Sequence, residues 1–340
     1  MSIYRSVGAR PFAGLGLAVS AGLAFGLVTA GPAAADRPGS ASVDDGTLTV
    51  TGSNQGEALA LRLAPGDPNT LQVDFGDDGV ADRSFDRSTF AAVEVFLRQG
   101  ADRFRVDQVN GPFADEQLTV DGGNGDDTMA GGDGNELFLG GRGRDSVDGN
   151  RGADTAELGR GDDTFTWDPG DGSDIVEGER GFDTLDFNGA PGAEQMSLSA
   201  EGDRAIFFRQ QGTIRMDMDR VERLDLDALA GIDTITIGDM TGTDFQQADI
   251  DLSAGGADGA ADAAADVVSV LGTSRSDRID VVPDGDQVLV QGLRVRTNLS
   301  GAELIDRLQI LSGDGNDEVT VDPAVAGLIG VLVDLGPGEA

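Results

Sequence analysis

The chain contains no cysteine, no histidine and no lysine, and its one tyrosine is Tyr4. Without cysteine there are no disulfides and no thiolate metal sites. Without histidine or cysteine there is no Ser–His–Asp triad, no Cys–His pair and no zinc-protease motif, and without lysine no Schiff base can form. Aromatic residues make up 5% of the chain, with a single tryptophan, Trp167. Positive charge is scarce as well: 24 basic residues, all arginine, face 61 acidic ones, a formal net charge of -37. That balance excludes nucleic acid as a partner and favours cations. Apolar residues at helical spacing are largely missing too. The catalysis left open is carboxylate chemistry, as in hydrolases that cleave polysaccharides with paired acids. Few aromatics are available to stack a sugar.

What the sequence does contain is a repeat. From Gly122 to Phe187 it reads GGNGDDTMA, GGDGNELFL, GGRGRDSVD, GNRGADTAE, LGRGDDTFT, two extra residues (Trp167-Asp168), PGDGSDIVE and GERGFDTLD. Seven units share the template G-G-x-G-x-D-x-U-x, with U a large apolar residue. Position four is always glycine (Gly125, Gly134, Gly143, Gly152, Gly161, Gly172, Gly181). Position six is always acidic (Asp127, Glu136, Asp145, Asp154, Asp163, Asp174, Asp183), and position eight is apolar (Met129, Phe138, Val147, Ala156, Phe165, Val176, Leu185).

Glycine permits positive φ, so positions one to six predict a tight loop. Positions seven to nine alternate and predict a short strand with one side chain facing inward. Loop, strand, loop, strand closes one turn of a flattened solenoid in two units. Loops two units apart then stack at roughly the 4.7–4.9 Å spacing of sheet strands. One edge carries Asp127, Asp145, Asp163 and Asp183; the other carries Glu136, Asp154 and Asp174. Stacked carboxylates repel unless a cation sits between them. Carboxylate and carbonyl oxygens suit a hard cation, which points to several calcium ions.

These blocks resemble the calcium-binding nonapeptides of RTX, or haemolysin-type, repeat proteins, over about a fifth of the chain. The resemblance implies that each ion is held by sixth-position acids and loop carbonyls of consecutive stacked loops. The pairs would be Asp127/Asp145, Asp145/Asp163 and Asp163/Asp183 on one edge, with Glu136/Asp154 and Asp154/Asp174 on the other. Gly123, Gly132 and Gly141 join the fourth-position glycines as loop ligands. The chain departs from the family's pattern where Glu136 is one methylene longer than Asp. It departs again where the leading glycines give way to Asn150, Leu158, Pro169 and Glu179. The Trp167-Asp168 insertion preserves in/out alternation and predicts a longer rung there. Seventeen acids against five arginines in the segment predict that it is loose without calcium.

Residues 1–35 read as a signal peptide: Arg5 and Arg10, an apolar run from Phe12 to Ala30, then small residues up to Ala35. The protein is expected to be secreted, with no membrane span in the mature chain; Ala324 to Leu335 is too short to cross. Residues 36–46 read as a linker. Residues 47–121 and 188–340 consist of strand-like runs divided by Gly, Asp and Pro. The strand, glycine-acid turn, strand pattern around Asp102, Asp233 and Asp317 predicts rungs of a wider parallel β-helix, with β-sandwich flanks as the alternative. Asp102, Asp233 and Asp317 read as turn formers. Gly255 to Ala265 reads as a flexible loop.

The expectation is therefore an all-β chain, a parallel β-roll or β-helix solenoid with a nonapeptide calcium-binding β-roll at its centre. Its expected role is that of an exported, acidic, non-catalytic metal-binding scaffold or interaction surface. The alternative is an exported polysaccharide-active hydrolase working through carboxylates.

Overall fold

A computed structural model describes residues 39–255 and 260–336. The expected signal peptide lies outside these residues, as do residues 256–259 of the expected flexible loop.

Alternation of apolar and polar residues places one face of each strand inside and one outside. The described chain forms two 14-stranded sheets. In the repeat, short strands alternate between them. Thr128–Ala130, Ser146–Asp148, Thr164–Trp167 and Thr184–Asn188 pair in parallel in one sheet. Gln117–Asn124, Leu137–Arg142, Thr155–Arg160 and Ile175–Glu177 pair in parallel in the other. Register follows the template: Met129, Val147, Phe165 and Leu185 stand in one row, and Phe138, Ala156 and Val176 in the facing one. All seven are fully buried. Together they make the thin core of a parallel β-roll.

The two-residue insertion lengthens one rung, as the alternation predicts. Thr164–Trp167 stays in register with the next strand through Trp167 opposite Phe187. The extra residues carry Trp167 inward, where it is 1% exposed. It stacks on Phe187 with ring centroids 4.1 Å apart, and its indole N–H donates to the Gly172 carbonyl at 2.8 Å. In this position Trp167 is not available to stack a sugar.

Three features differ from the sequence expectation. In one sheet the strands run on through the leading glycines of the next unit, with Gly123, Gly141 and Gly159 paired across three rungs. The backbones come so close there that a Cβ on Gly141 would lie 2.3 Å from the Gly123 carbonyl oxygen. Within the expected linker, Ser40–Asp44 is a strand, paired antiparallel with Thr47–Thr51. The flanks also contain antiparallel stretches among their parallel rungs. Ala58–Ala64, Asp67–Phe75 and Arg83–Asp86 form a meander at one end of a sheet. Gln195–Glu201, Arg204–Arg209 and Ile214–Asp219 double back inside one sheet, and Arg278–Asp284, Gln287–Gln291 and Arg296–Ser300 inside the other. Such hairpins add strands without breaking either sheet. The buried residues form one continuous core from Leu48 to Ile329. The solenoid thus continues through both flanks, with no separate sandwich among the described residues.

The core row yields a direct test. Phe165→Ala should lower the stability of the calcium-loaded protein by about 3–5 kcal/mol, whereas Ile175→Ala, on an outward-facing side chain, should cost under about 1 kcal/mol. Urea denaturation in millimolar calcium measures both; equal losses would contradict the inward row.

Candidate metal centre

Each sixth-position acid stands immediately before a strand, where the glycine loop hands over to extended backbone. Asp127, Asp145, Asp163 and Asp183 precede the four strands of one sheet; Glu136, Asp154 and Asp174 precede three of the other. Stacking the strands therefore stacks the acids. Two glycines illustrate what the loop requires. Gly125 and Gly143 hold φ of +137° and +134°, and a Cβ on Gly143 would lie 1.9 Å from the Gly125 carbonyl oxygen. Gly123, Gly141, Gly152, Gly161 and Gly181 share the positive φ. A Cβ on Gly172 would lie 1.4 Å from the Gly152 carbonyl oxygen, and one on Gly134 would meet Glu136 Oε1 at 2.4 Å. Gly132 packs against Val106.

The acids are joined in columns by a single repeated hydrogen bond. The Asp127 N–H donates to Asp145 Oδ1 at 2.8 Å, Asp145 to Asp163 at 2.7 Å, and Asp163 to Asp183 at 2.9 Å. On the other edge the Glu136 N–H donates to Asp154 Oδ1 at 2.7 Å and Asp154 to Asp174 at 2.8 Å. All five pairs named from the sequence are thus adjacent, including the two that span 20 residues where the others span 18. Glu136 uses its extra methylene to fold back, accepting the Gly132 N–H on Oε2 at 3.0 Å.

The second carboxylate oxygen is the informative one. In Asp127, Asp145, Asp154, Asp163 and Asp183, Oδ2 is buried and has no hydrogen-bond partner. These residues are 0–1% exposed. Buried carboxylate oxygens are rarely left bare, since desolvating them without compensation costs several kcal/mol. The bare oxygens also face carbonyls. A Cβ on Gly122 would meet Asp127 Oδ2 at 2.7 Å and the Gly140 carbonyl oxygen at 2.8 Å. One on Gly140 would meet Asp145 Oδ2 at 2.9 Å and the Leu158 carbonyl at 2.3 Å. On Gly178 the same test finds Asp183 Oδ2 at 2.7 Å and the Arg220 carbonyl at 1.9 Å. The space that first-position glycine leaves open is bordered by anionic and carbonyl oxygen, a donor set that fits a hard cation such as calcium. No ion pair engages these five aspartates among the described residues. With two carboxylates and carbonyls per step, no cluster of three or more acids is needed, and none is found among the described residues.

Burial raises the affinity of these acids for protons. Against that, each carboxylate's bond from a backbone N–H lowers it, and neighbouring carboxylates raise it further. The outcome is a pKa of about 6 for Asp163, about 7 for Asp127, Asp145, Asp174 and Asp183, and about 9 for Asp154. Burial also pushes Glu136 upward.

Sequence reasoning missed two things. The fifth position carries its own, opposite ladder: Asp126 Oδ1 accepts the Arg144 N–H, Asn135 Oδ1 the Ala153 N–H, and Asp162 Oδ1 the Phe182 N–H. The signal was the recurrence of Asp or Asn at position five, obscured because only every second rung needs it. The main column also extends past the repeat. The Glu57 N–H donates to Asp102 Oδ1, Asp102 to Asp127, and Asp183 to Glu222, each at 2.8 Å. Asp102, read from the sequence as a turn former, is 1% exposed with a bare Oδ2.

Comparison with known families agrees with the geometry. Residues 119–135, 130–165 and 169–186 match the family model of the RTX calcium-binding nonapeptide repeat. Repeats of this family bind calcium, and the buried acid columns fit several such ions. No curated protein matches the chain.

The raised pKa values fix the sign of a pH effect. An acid whose folded pKa lies above its unfolded value stabilises the fold fully below the unfolded pKa, here 3.8, and that contribution is lost as pH rises through about 6–9. In chelator, the thermal midpoint of the repeat should therefore be higher at pH 5 than at pH 8; saturating calcium should restore it at pH 8. Asp145→Asn should separate the two effects. It should stabilise the metal-free protein at pH 8 and weaken calcium binding by about tenfold or more, as expected when a site loses a charged ligand. Calorimetry with and without calcium reads both, and a variant that binds calcium like the parent would remove Asp145 from the site.

Proposed function

We propose that this is an exported, non-catalytic calcium-binding repeat protein whose central β-roll folds around calcium and holds the flanking β-helix as a scaffold or interaction surface. The single observation that carries the reading is the row of buried carboxylates, each bonded through one oxygen and bare at the other, within the segment matched by the calcium-binding repeat family. Asp127, Asp145, Asp163 and Asp183 would hold ions on one edge, and Glu136, Asp154 and Asp174 on the other, with loop carbonyls completing each cage. Bound calcium supplies the positive charge these acids lack and needs no reacting substrate. The protein's own contribution is to order the oxygens: glycine loops bring carbonyls in, and backbone N–H groups fix each carboxylate.

The division of labour we propose is a signal peptide over 1–35, a calcium-dependent roll over 122–187 and β-helical flanks on both sides. Export accords with the acidic composition and the leader-like sequence of residues 1–35. Among the described residues no helix is long and apolar enough to cross a membrane. A carboxylate hydrolase finds less support. The sixth-position acids of the repeat are engaged in its loop columns, and the one tryptophan is inside the core.

Trp167 offers the test. As the only tryptophan, buried at the lengthened rung, it reports on the end of the roll and on its seam with the flank, where Arg209 lies 5.3 Å over its ring. Adding calcium to chelated protein should shift its emission to shorter wavelength and increase the strand signal in far-ultraviolet circular dichroism. Elemental analysis after buffer exchange should find several calcium ions per chain. Spectra indifferent to calcium would refute the reading, and reducing-sugar release from a glycan panel would replace it with the hydrolase.

A further inference from the structure

A second column of acids lies outside the matched repeat, in the C-terminal flank. The Glu194 N–H donates to Asp233 Oδ1 at 2.8 Å, Asp233 to Asp266 Oδ1 at 2.8 Å, and Asp266 to Asp306 Oδ1 at 3.0 Å. The spacings are 39, 33 and 40 residues, so no nine-residue period betrays them. Each acid precedes a strand of the same sheet: Gln195–Glu201, Thr234–Ile237, Val267–Leu271 and Arg307–Leu311. This is the hydrogen-bond pattern of the nonapeptide columns, built from loops that lack the nonapeptide sequence.

The four acids are not equivalent. Glu194 has a resident cation, Arg209, whose Nε donates to Oε1 at 2.6 Å. Asp306 has a donor for each oxygen, since its Oδ2 accepts the Glu303 N–H at 2.6 Å. Asp233 and Asp266 have neither. They are 0% and 1% exposed, and each Oδ2 is buried without a partner. The neighbouring acids make matters worse rather than better. Asp262 accepts the N–H groups of Gly231 and Ala264, and Glu303 accepts that of Ala263, which brings two more carboxylates to the same loops. No basic residue occurs in the sequence between Arg223 and Arg275, a span with ten aspartates. Among the described residues no ion pair engages Asp233 or Asp266, and bare buried carboxylates demand a counter-charge.

We propose that Asp233 and Asp266 hold a divalent cation between their stacked loops, a calcium site separate from the nonapeptide β-roll. The bare ligands at hand are carboxylate oxygens, which select a hard ion. The site would tie the rung of Thr234–Ile237 to that of Val267–Leu271, and so extend calcium dependence into the C-terminal flank. The proposal adopts the metal chemistry of the repeat but does not depend on how many nonapeptide loops are filled.

The test uses the full chain and calcium itself. Asp233→Asn with Asp266→Asn keeps an acceptor at each Oδ1 position and removes the charge. In equilibrium dialysis this double variant should bind at least one calcium fewer per chain than the parent. The loss should add to that caused by Asp145→Asn with Asp163→Asn, because the two sites share no ligand. An unchanged calcium count for Asp233→Asn with Asp266→Asn would overturn the proposal, whatever the repeat variant does. Should that variant fail to fold, hydrogen exchange on the unmodified chain decides. Calcium should slow exchange at least about tenfold in Thr234–Ile237 and Val267–Leu271, in proportion to an opening equilibrium that the ion disfavours. No slowing there, with slowing in Thr128–Asn188, would overturn the flank site and leave the repeat sites standing. No slowing in either would instead overturn the reading of the repeat.

Discussion

The structure depends on how one carboxylate divides its two oxygens. One accepts an N–H from the loop of the neighbouring rung, which fixes the acid in place and satisfies a backbone donor that the glycine turn would otherwise leave unpaired. The other is thereby aimed into the loop with no donor of its own. A neutral side chain could make the first bond; only an acid creates the demand for a cation as well. The arrangement binds fold and ion together, because the bond that stacks the rungs is also what strips the second oxygen of water.

The rest of the architecture is arranged so that this demand recurs. The three-residue strands Thr128–Ala130, Ser146–Asp148 and Ile175–Glu177 each bury a single side chain, Met129, Val147 and Val176. So thin a core supplies little hydrophobic stabilisation per ordered residue. The flanks are different. Antiparallel hairpins such as Gln195–Glu201 with Arg204–Arg209 bring extra apolar residues inward, among them Phe207, which packs on Phe187 with centroids 4.5 Å apart. The roll thus has the thinner core, and flanks thickened by hairpins adjoin it on either side.

Much of this was legible in the sequence because the repeat states it in residue types. Glycine at position four, acid at six and an apolar residue at eight gave the loop, the stacked acid and the core of every rung, and the inward placement of Trp167 followed from parity alone. What was illegible has a common cause: contacts whose spacing is not fixed. Asp233 and Asp266 stand 33 residues apart, separated by a strand of the opposite sheet and a long loop, so their kinship with Asp127 and Asp145 emerges only when the sheet aligns them. The hairpins were hidden for a similar reason, since alternation reads the same in parallel and antiparallel strands. Ser40–Asp44 was hidden by composition, its Ser, Ala and Asp resembling linker until Thr47–Thr51 offers it a pairing edge.

The columns also have a direction. In every step the donor is the earlier residue in the chain and the acceptor the later one, from Glu57 through Asp127 to Glu222. A polypeptide is made from its N-terminus, so each loop emerges holding an amide whose acceptor has yet to be synthesised. The tip of a half-made sixth-position column therefore presents a bare N–H, whereas Asp126 and Asp162 of the fifth-position ladder wait for an N–H from the rung that follows. Along these columns assembly is in this sense vectorial: each turn is finished by the turn that comes after it, until Glu222 closes one column and Asp306 another.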